Sequence, residues 1–464
     1  MNHQPLSSET FDVIIIGAGV VGCAVARRFV LEGARVAVVD KASDILDGAS
    51  KANSAILHTG FDAPAGSLEL KCIRDGYDEY REIFEPMGLV LEQTGAFVVG
   101  WSDEEVGKLE GILAKAHGNG VGDCRLVSSK ELLQVEPQLA SHAKAGIAVP
   151  GECIIDPWSA PYAYLQQALD NGAEVFLSCE VTGGAFDNGE WQLETSRGGL
   201  KGRHVVNCAG LYGDLVERDV RGTSDFAIAP RKGQFVVYDK AAASLLNAVI
   251  LPVPTARTKG VVLFRTVFGN LAVGPTAEDQ ESRDDASCDT AALQSLMAAG
   301  EEMLPALVSM PVTATYAGLR PATQFQDYQI AGDAARNWIS VGGIRSTGLS
   351  GALGIAKHVF ELYGKKHTAI AEPVVPNVHM LAQAGRRDWQ RAGYGEIVCH
   401  CELVTKREIE QALAGPLAAR SLQGLKRQTR VTMGRCQGFY CSGRLAEITK
   451  GCFEVPIAEG DGDD

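Results

Sequence analysis

A chain of 464 residues, 46% apolar and 22% charged, has the composition of a folded globular protein and the length of two or three domains. Its formal net charge of −14 argues against non-specific nucleic-acid binding and against attraction to anionic membranes. No uncharged apolar run reaches the ~18 residues of a spanning helix, and the N-terminal MNHQPLSSETFD lacks the basic and apolar regions of a secretory leader. Eight of the twelve cysteines are scattered through apolar patterns, which fits buried thiols in a reducing, cytoplasmic setting, with any membrane association through a partner.

In chain order, FDVIII predicts a buried parallel strand running into Gly17-Ala-Gly19-Val20-Val-Gly22. A helix ending at Gly33 follows, and then a strand, ARVAVVD, ending at Asp40. Gly17 permits the tight turn, Gly19 lets the backbone approach a pyrophosphate, and Gly22 lets helix and strand pack closely. Val20 opens the helix whose N-terminal N–H groups face the phosphates. Asp40 is placed to accept a hydrogen bond from a ribose hydroxyl. This unit predicts a dinucleotide without deciding between FAD and NAD. The small residues that follow, from Lys41 through Ser50, Asn53 and Ser54, suit close contact with a bulky cofactor.

The pattern G-A-S-x-x-N-S-x-x-L-H-x-G at 48–60 and P-A-G-S-L at 64–68 resemble the glycerol-3-phosphate dehydrogenase / L-2-hydroxyglutarate dehydrogenase branch of the D-amino-acid-oxidase-like flavoproteins. The resemblance implies FAD, and a cofactor fold interrupted by a substrate domain. A strand ending at Val181 follows the helix of 158–172. The segment HVVNCAG resembles the family's second backbone contact with FAD, at Ala209 and Gly210. WISVGG followed by IRSTGLSG resembles the closing segment around the flavin pyrimidine, with Gly343, Gly348 and Leu349 as contacts. Alternating strands such as GAFVVG and GQFVVYD, within about 80–200 and 220–320, suit a mixed sheet over the flavin face.

A flavin dehydrogenase needs an acceptor for the substrate proton and, for the anionic substrates that the resemblance implies, a fixed cation. Arg320 in AGLRP is the first candidate, since a guanidinium makes two-point contacts to carboxylate or phosphate. Arg345 and Arg265 are second candidates. His58 falls where the family chain passes the flavin, as base, flavin contact or covalent attachment point; His204, in an apolar strand, reads as structural.

After a proline-containing linker, Cys399-x-Cys401 is followed 34 residues later by Cys436-x₄-Cys441. A helix between them has Thr405 as N-cap and Glu408 at the capping-box position. Disulfides are disfavoured by compartment and spacing. Zinc fits the spacing imperfectly, and an iron–sulfur cluster needs four thiolates with N–H donors, which Gly434 and Gly438 would help supply. Six basic residues and no acid between 420 and 444 form either a thiolate-stabilising field or an ordinary solvated surface. The motif resembles the bacterioferritin-associated-ferredoxin-like [2Fe-2S] domain, which implies all four cysteines as ligands. Cys452 reads as a bystander.

The expected architecture is α/β. A discontinuous Rossmann-like FAD-binding domain comprises 1–80, 200–220 and 325–365. A mixed-sheet (α+β) substrate domain with intervening FAD-fold elements occupies 81–199 and 221–324. A linker (366–394), a small helical [2Fe-2S] domain (395–452) and a disordered acidic tail (453–464) complete the chain. The expected function is oxidation of glycerol 3-phosphate or a 2-hydroxy acid, with single electrons passed through the cluster to a further subunit, partner or quinone pathway. The alternatives are an amine or amino-acid dehydrogenase subunit and a redox-sensing protein.

Overall fold

The computed structural model describes residues 5–254, 260–379 and 381–458; the stretch 459–464, half of the expected acidic tail, lies outside them. The opening apolar run forms the strand Phe11–Ile16, followed by the helix Val20–Leu31 and the strand Val36–Val39. These join a parallel sheet in the order Trp338–Gly342, Gly198–Asn207, Phe11–Ile16, Val36–Val39, Glu174–Phe176. Helices Val20–Leu31, Ser159–Asp170 and Gly348–Tyr363 cover one face and enclose the largest core cluster. An antiparallel meander, Val181–Asp187 and Glu190–Thr195, extends from the long strand Gly198–Asn207. Because both faces of the parallel sheet are covered, its strands read as unbroken apolar runs.

The second sheet has nine strands and is mixed: Val249–Pro252 runs parallel to Ala96–Gly100, and its other pairings are antiparallel. A three-stranded bridge of Ile56–Leu57, Cys153–Ile155 and Leu91–Glu92 connects the two regions. The first excursion into the mixed sheet ends at Val149, so 153–199 belongs to the bridge and the first sheet rather than to the β-rich substrate region. Periodicity identifies a strand, but its partner sheet is set by long-range register.

The 366–394 segment is a strap along the body. Ile370 N–H donates to the Leu31 carbonyl, Val378 N–H to that of Met87, and Gln383 N–H to that of Val267, each at 2.9 Å. It leads into a small unit with the hairpin Ile397–Cys399 and Val404–Thr405 and the helices Lys406–Ala412, Leu422–Thr429 and Ser442–Ile448. The Thr405–Glu408 capping box forms as expected. Phe453 is buried in this unit's core and Glu454 N–H donates to the Arg420 carbonyl, so packing continues beyond 452, into the stretch expected to be tail. Among the described residues no helix is long and apolar enough to cross a membrane.

Candidate active site and cysteine centre

A cavity of about 1150 Å³ lies between the C-terminal ends of the parallel strands and the mixed sheet, the usual position for ligands in open α/β sheets. Gly17, Gly19, Val20, Asp40, Lys41, Ser50, Asn53, Ser54, Val181, Ala209, Gly210, Gly348 and Leu349 line it, as do His58, Arg320 and Arg345. Two candidates lie behind the wall. A Cβ on Gly22 would stand 1.9 Å from the Gly17 carbonyl oxygen, so Gly22 serves helix–turn packing, as its sequence position implied. Gly343, at φ +67°, packs on Thr323 and Gln329 and turns the chain into the lining segment 344–349 instead of touching the cavity. Arg265 is also absent from the wall. Val262 faces the cavity, and strand alternation sends Arg265 to the opposite side, where it donates to the Asn247 carbonyl. His204 is buried edge-on to Tyr363, in the structural role expected of it.

The wall fits FAD. Two helices, beginning at Val20 and Gly348, open onto it with their N-terminal ends, where the dipole is positive. The Val20 N–H is held by Ser50 Oγ at 3.0 Å, which ties the small-residue segment to the glycine turn. Asp40 accepts from the N–H groups of Ala18 (2.6 Å) and Ala42 (2.8 Å), so its carboxylate is oriented at the strand end. Burial raises its pKa while these two donors oppose the shift. Lys41 stacks its ammonium 3.3 Å from the centre of the Tyr212 ring.

The mixed sheet brings a further cation that sequence alone did not single out. Strands Ile228–Tyr238 and Val312–Thr323 pair with Arg231 directly opposite Arg320, a like-charge juxtaposition that is unfavourable by itself. A Cβ on Gly233 would come within 2.4 Å of an Arg320 guanidinium nitrogen, so the glycine makes room for that head group. Arg345 enters from the turn after the last parallel strand, and all three guanidiniums line the cavity. Burial, then the charges of Arg231 and Arg345, lower the Arg320 pKa to about 10. Arg231 pairs with the exposed Asp279 at 3.3 Å. Among the described residues no acid pairs with Arg320, whose guanidinium reaches only the Thr276 carbonyl at 3.4 Å. The arrangement is built for an anion.

His58 borders the same cavity. Its Nδ1 lies 2.7 Å from Glu152, a fully buried residue missed in the sequence because it sits in a loop next to a strand that only tertiary pairing brings alongside.

None of the twelve cysteines of the chain forms a disulfide. Cys401 lies beside Cys436, and Cys399 beside Cys441. Among the described residues no three potential ligands stand around one point in metal-ligating geometry; the fit to a cluster lies in the donor set. The backbone N–H of Tyr440, with those of Gly438 and Phe439, holds the Cys436 thiol below its usual range, and burial pushes the Cys441 thiol up to about 12. Four thiols with N–H donors aimed at sulfur suit an iron–sulfur cluster. Gly434 contributes by close approach, since a Cβ there would meet Cys401 Cβ at 2.2 Å. The basic run is neither a bare field nor a simple solvated face. Arg427 pairs with Asp47, Arg430 with Glu402, Arg435 with Asp239 and Arg444 with Glu396. Burial lowers the Lys426 pKa, against a smaller opposing effect of Cys441. Cys452 stays outside the thiol group, its Sγ on the Lys450 carbonyl.

The small unit is seated against the cavity wall. Asp44 accepts from Arg420 N–H (2.9 Å) and Ser421 Oγ (2.7 Å), and Arg427 donates to the Ile45 carbonyl. Asp47, a few residues on, lines the cavity. Arg430 lies 3.8 Å from the centre of the Phe268 ring, which in turn stacks on Trp158.

Comparison with known proteins agrees with this geometry. The family model described as FAD dependent oxidoreductase matches residues 12–362, and that described as BFD-like [2Fe-2S] binding domain matches 397–450. The chain is 32% identical over 450 residues to a glycerol 3-phosphate dehydrogenase of Caloramator mitchellensis, covering 94% of this chain and 93% of that one. An L-2-hydroxyglutarate dehydrogenase of Indibacter alkaliphilus is 30% identical over 272 residues, 58% of this chain and 68% of that one. The dithionite-reduced, FAD-bound L-alpha-glycerophosphate oxidase of Mycoplasma pneumoniae has a TM-score of 0.76 at 27% identity, covering 80% of this chain and 100% of that one. The expected cofactors, FAD and a [2Fe-2S] cluster, and the expected fold are those of these relatives.

Proposed function

The chain belongs to the FAD-dependent oxidoreductase family and ends in a BFD-like [2Fe-2S] domain; we propose that it is a dehydrogenase of a small dianionic hydroxy compound, with glycerol 3-phosphate the substrate favoured. The observation that carries this reading is the convergence of Arg231, Arg320 and Arg345 on one cavity. Beyond the charge that Asp279 matches on Arg231, a monocarboxylate would balance only one of the other two and a neutral amine neither, whereas a phosphate monoester offers three oxygens and nearly two negative charges. The name of the Caloramator relative points the same way.

In this reading FAD, when bound, would supply the two-electron acceptor for oxidation of the carbinol. The helix ends at Val20 and Gly348 hold its phosphates and ring, and Asp40 its ribose. The three arginines fix the substrate's anionic end, and His58 takes the hydroxyl proton at Nε2, the ring nitrogen not engaged by Glu152. The thiolates of Cys399, Cys401, Cys436 and Cys441 hold the cluster, which supplies one-electron chemistry. The small unit's seat on the segment 44–47, beside the cavity, suits internal electron passage and onward export to a partner subunit or carrier.

Anaerobic flavin bleaching tests the substrate. Glycerol 3-phosphate should bleach the iron-replete protein, and Arg320→Ala should raise the half-saturating concentration about 100-fold, in line with ~3 kcal/mol for charge-assisted contacts. Bleaching by 2-hydroxyglutarate alone would move the substrate to a dicarboxylate; bleaching only by amines or amino acids would end this reading. Rapid turnover with O₂, equal with and without an intact cluster, would remove the export step.

A further inference from the structure

Glu152 lies outside every motif considered above, yet it is fully buried and three donors converge on it. Oε1 accepts from the Thr59 N–H (2.7 Å) and the Thr59 hydroxyl (2.8 Å), while Oε2 lies 2.7 Å from His58 Nδ1. The reason is topological. In the bridge sheet Ile56 pairs with Ile154 and Leu57 with Cys153, so the next position along sets His58 opposite Glu152. His58 arrives from the cofactor-binding region, and Glu152 belongs to the turn by which the chain leaves the mixed sheet. Both backbones are anchored: His58 N–H donates to Ser350 Oγ at 2.9 Å, Gly95 N–H donates to the Glu152 carbonyl at 2.9 Å, and Tyr77 Oη donates to the neighbouring Gly151 carbonyl at 2.7 Å. A buried carboxylate is costly unless its lone pairs are filled, and here the neighbouring donors fill them.

We propose that Glu152 is a positioning residue for His58, holding the proton on Nδ1 so that Nε2 is the acceptor, and stabilising the imidazolium that forms when the substrate is oxidised. The inference rests on the reading of His58 as base. The hydroxyl O–H bond breaks with its proton going to Nε2, and the electron pair left on oxygen forms the C=O bond as the C–H bond yields hydride to the flavin. The ring then carries a positive charge that faces the fully buried Glu152 carboxylate, 2.7 Å from Nδ1. Other titratable side chains on this side of the molecule are Asp62 and Glu69 on the cavity wall and Tyr77; Glu69 is engaged by the Thr347 hydroxyl at 2.7 Å. A carboxylate behind a histidine fixes tautomer and orientation.

The test is Glu152→Gln in the FAD- and iron-loaded full chain. Glutamine keeps the size and can still accept from Thr59, but its NH₂ group donates to Nδ1 and forces the proton to Nε2. The flavin-bleaching rate at saturating glycerol 3-phosphate should fall on the order of 10²–10⁴-fold, with the half-saturating concentration changed less than 3-fold and FAD content unchanged. The rate should recover at high pH less completely than in Glu152→Asp, where a carboxylate remains. An unaltered rate and pH profile in Glu152→Gln, with His58→Asn still slow, overturns the positioning role and leaves His58 as base. A normal rate in His58→Asn overturns both. If Glu152→Gln does not fold, ¹⁵N spectra of the unmodified protein decide, with His58 assigned by its loss in His58→Asn: a protonated Nδ1 is expected, and a protonated Nε2 with bare Nδ1 overturns the proposal.

Discussion

The flavin-side body and the cysteine unit hold their groups in opposite ways. The body's cavity is framed by two large sheets, and the polar side chains that face it, His58, Arg231, Arg320 and Arg345, stand outside the core clusters that support its wall. In the small unit the helices are seven or eight residues long, and Cys399 and Cys441 are themselves members of the core. On the proposed ligation two of the four ligands are also core side chains, so a domain of this size would gain from its cluster the stability that a larger one gains from burial. The body's site can therefore be emptied or altered one contact at a time, while the cysteine unit responds as a whole.

The sharpest way to break this contrast is Cys441→Ser. Iron and the cluster's visible and EPR signals should vanish completely, and the small unit should become open to trypsin near 380–396, while FAD stoichiometry stays unchanged. Loss of FAD together with iron would show that the body depends on the unit after all.

Acid should probe the body. Burial, and then Lys365, pull the His204 pKa from 6.5 down to about 4. Below its ordinary value the unfolded chain takes up a proton that the folded chain refuses. The stability owed to the neutral ring is therefore whole above about pH 6.5 and drains between pH 6.5 and 4. His204→Phe should flatten that limb by up to about 3 kcal/mol, at ~1.4 kcal/mol per pH unit, seen in denaturant midpoints followed by flavin release across pH. An unchanged limb would place the acid sensitivity elsewhere.

The seam between the regions comes next in size. A Cβ on Gly424 would stand 1.9 Å from Asp44 Oδ1, so Gly424→Ala should cost about 1–3 kcal/mol as overpacking. Calorimetry should show the cluster unit's transition moving down and the body's staying in place; a shift of both together would mean that the two melt as one. Smallest of all, Arg444→Ala removes half-exposed ion pairs to Glu396 and Glu447 and should leave stability almost unchanged, since solvent and salt screen such pairs. A larger loss in thermal melts would show that surface charge, not the thiol core, supports this unit.

Much of the site was legible in advance because its signals are local. A glycine turn between an apolar strand and a helix, an acid at the end of the next strand, and two close cysteine pairs each need only neighbouring residues to carry their meaning. Arg320 and Arg345 were found through short motifs that place them near the cofactor. Arg231 and Glu152 were not, because each gains its role only from a residue dozens of positions away: Arg231 from the register with Arg320, and Glu152 from the register that sets it opposite His58. Arg265 misled for the complementary reason, since one step of strand alternation decides which face a side chain takes.

By itself, then, the sequence determined the dinucleotide-binding unit and the two close cysteine pairs, written in contacts close along the chain, while the interrupted cofactor fold was legible only through a resemblance. Tertiary structure decided which cations share the cavity, which acid stands behind His58, and that the cysteine unit rests on the segment 44–47 beside the cavity. Those are matters of strand register and of one surface meeting another, and only the folded chain brings such distant residues within the few ångströms over which charges and hydrogen bonds act.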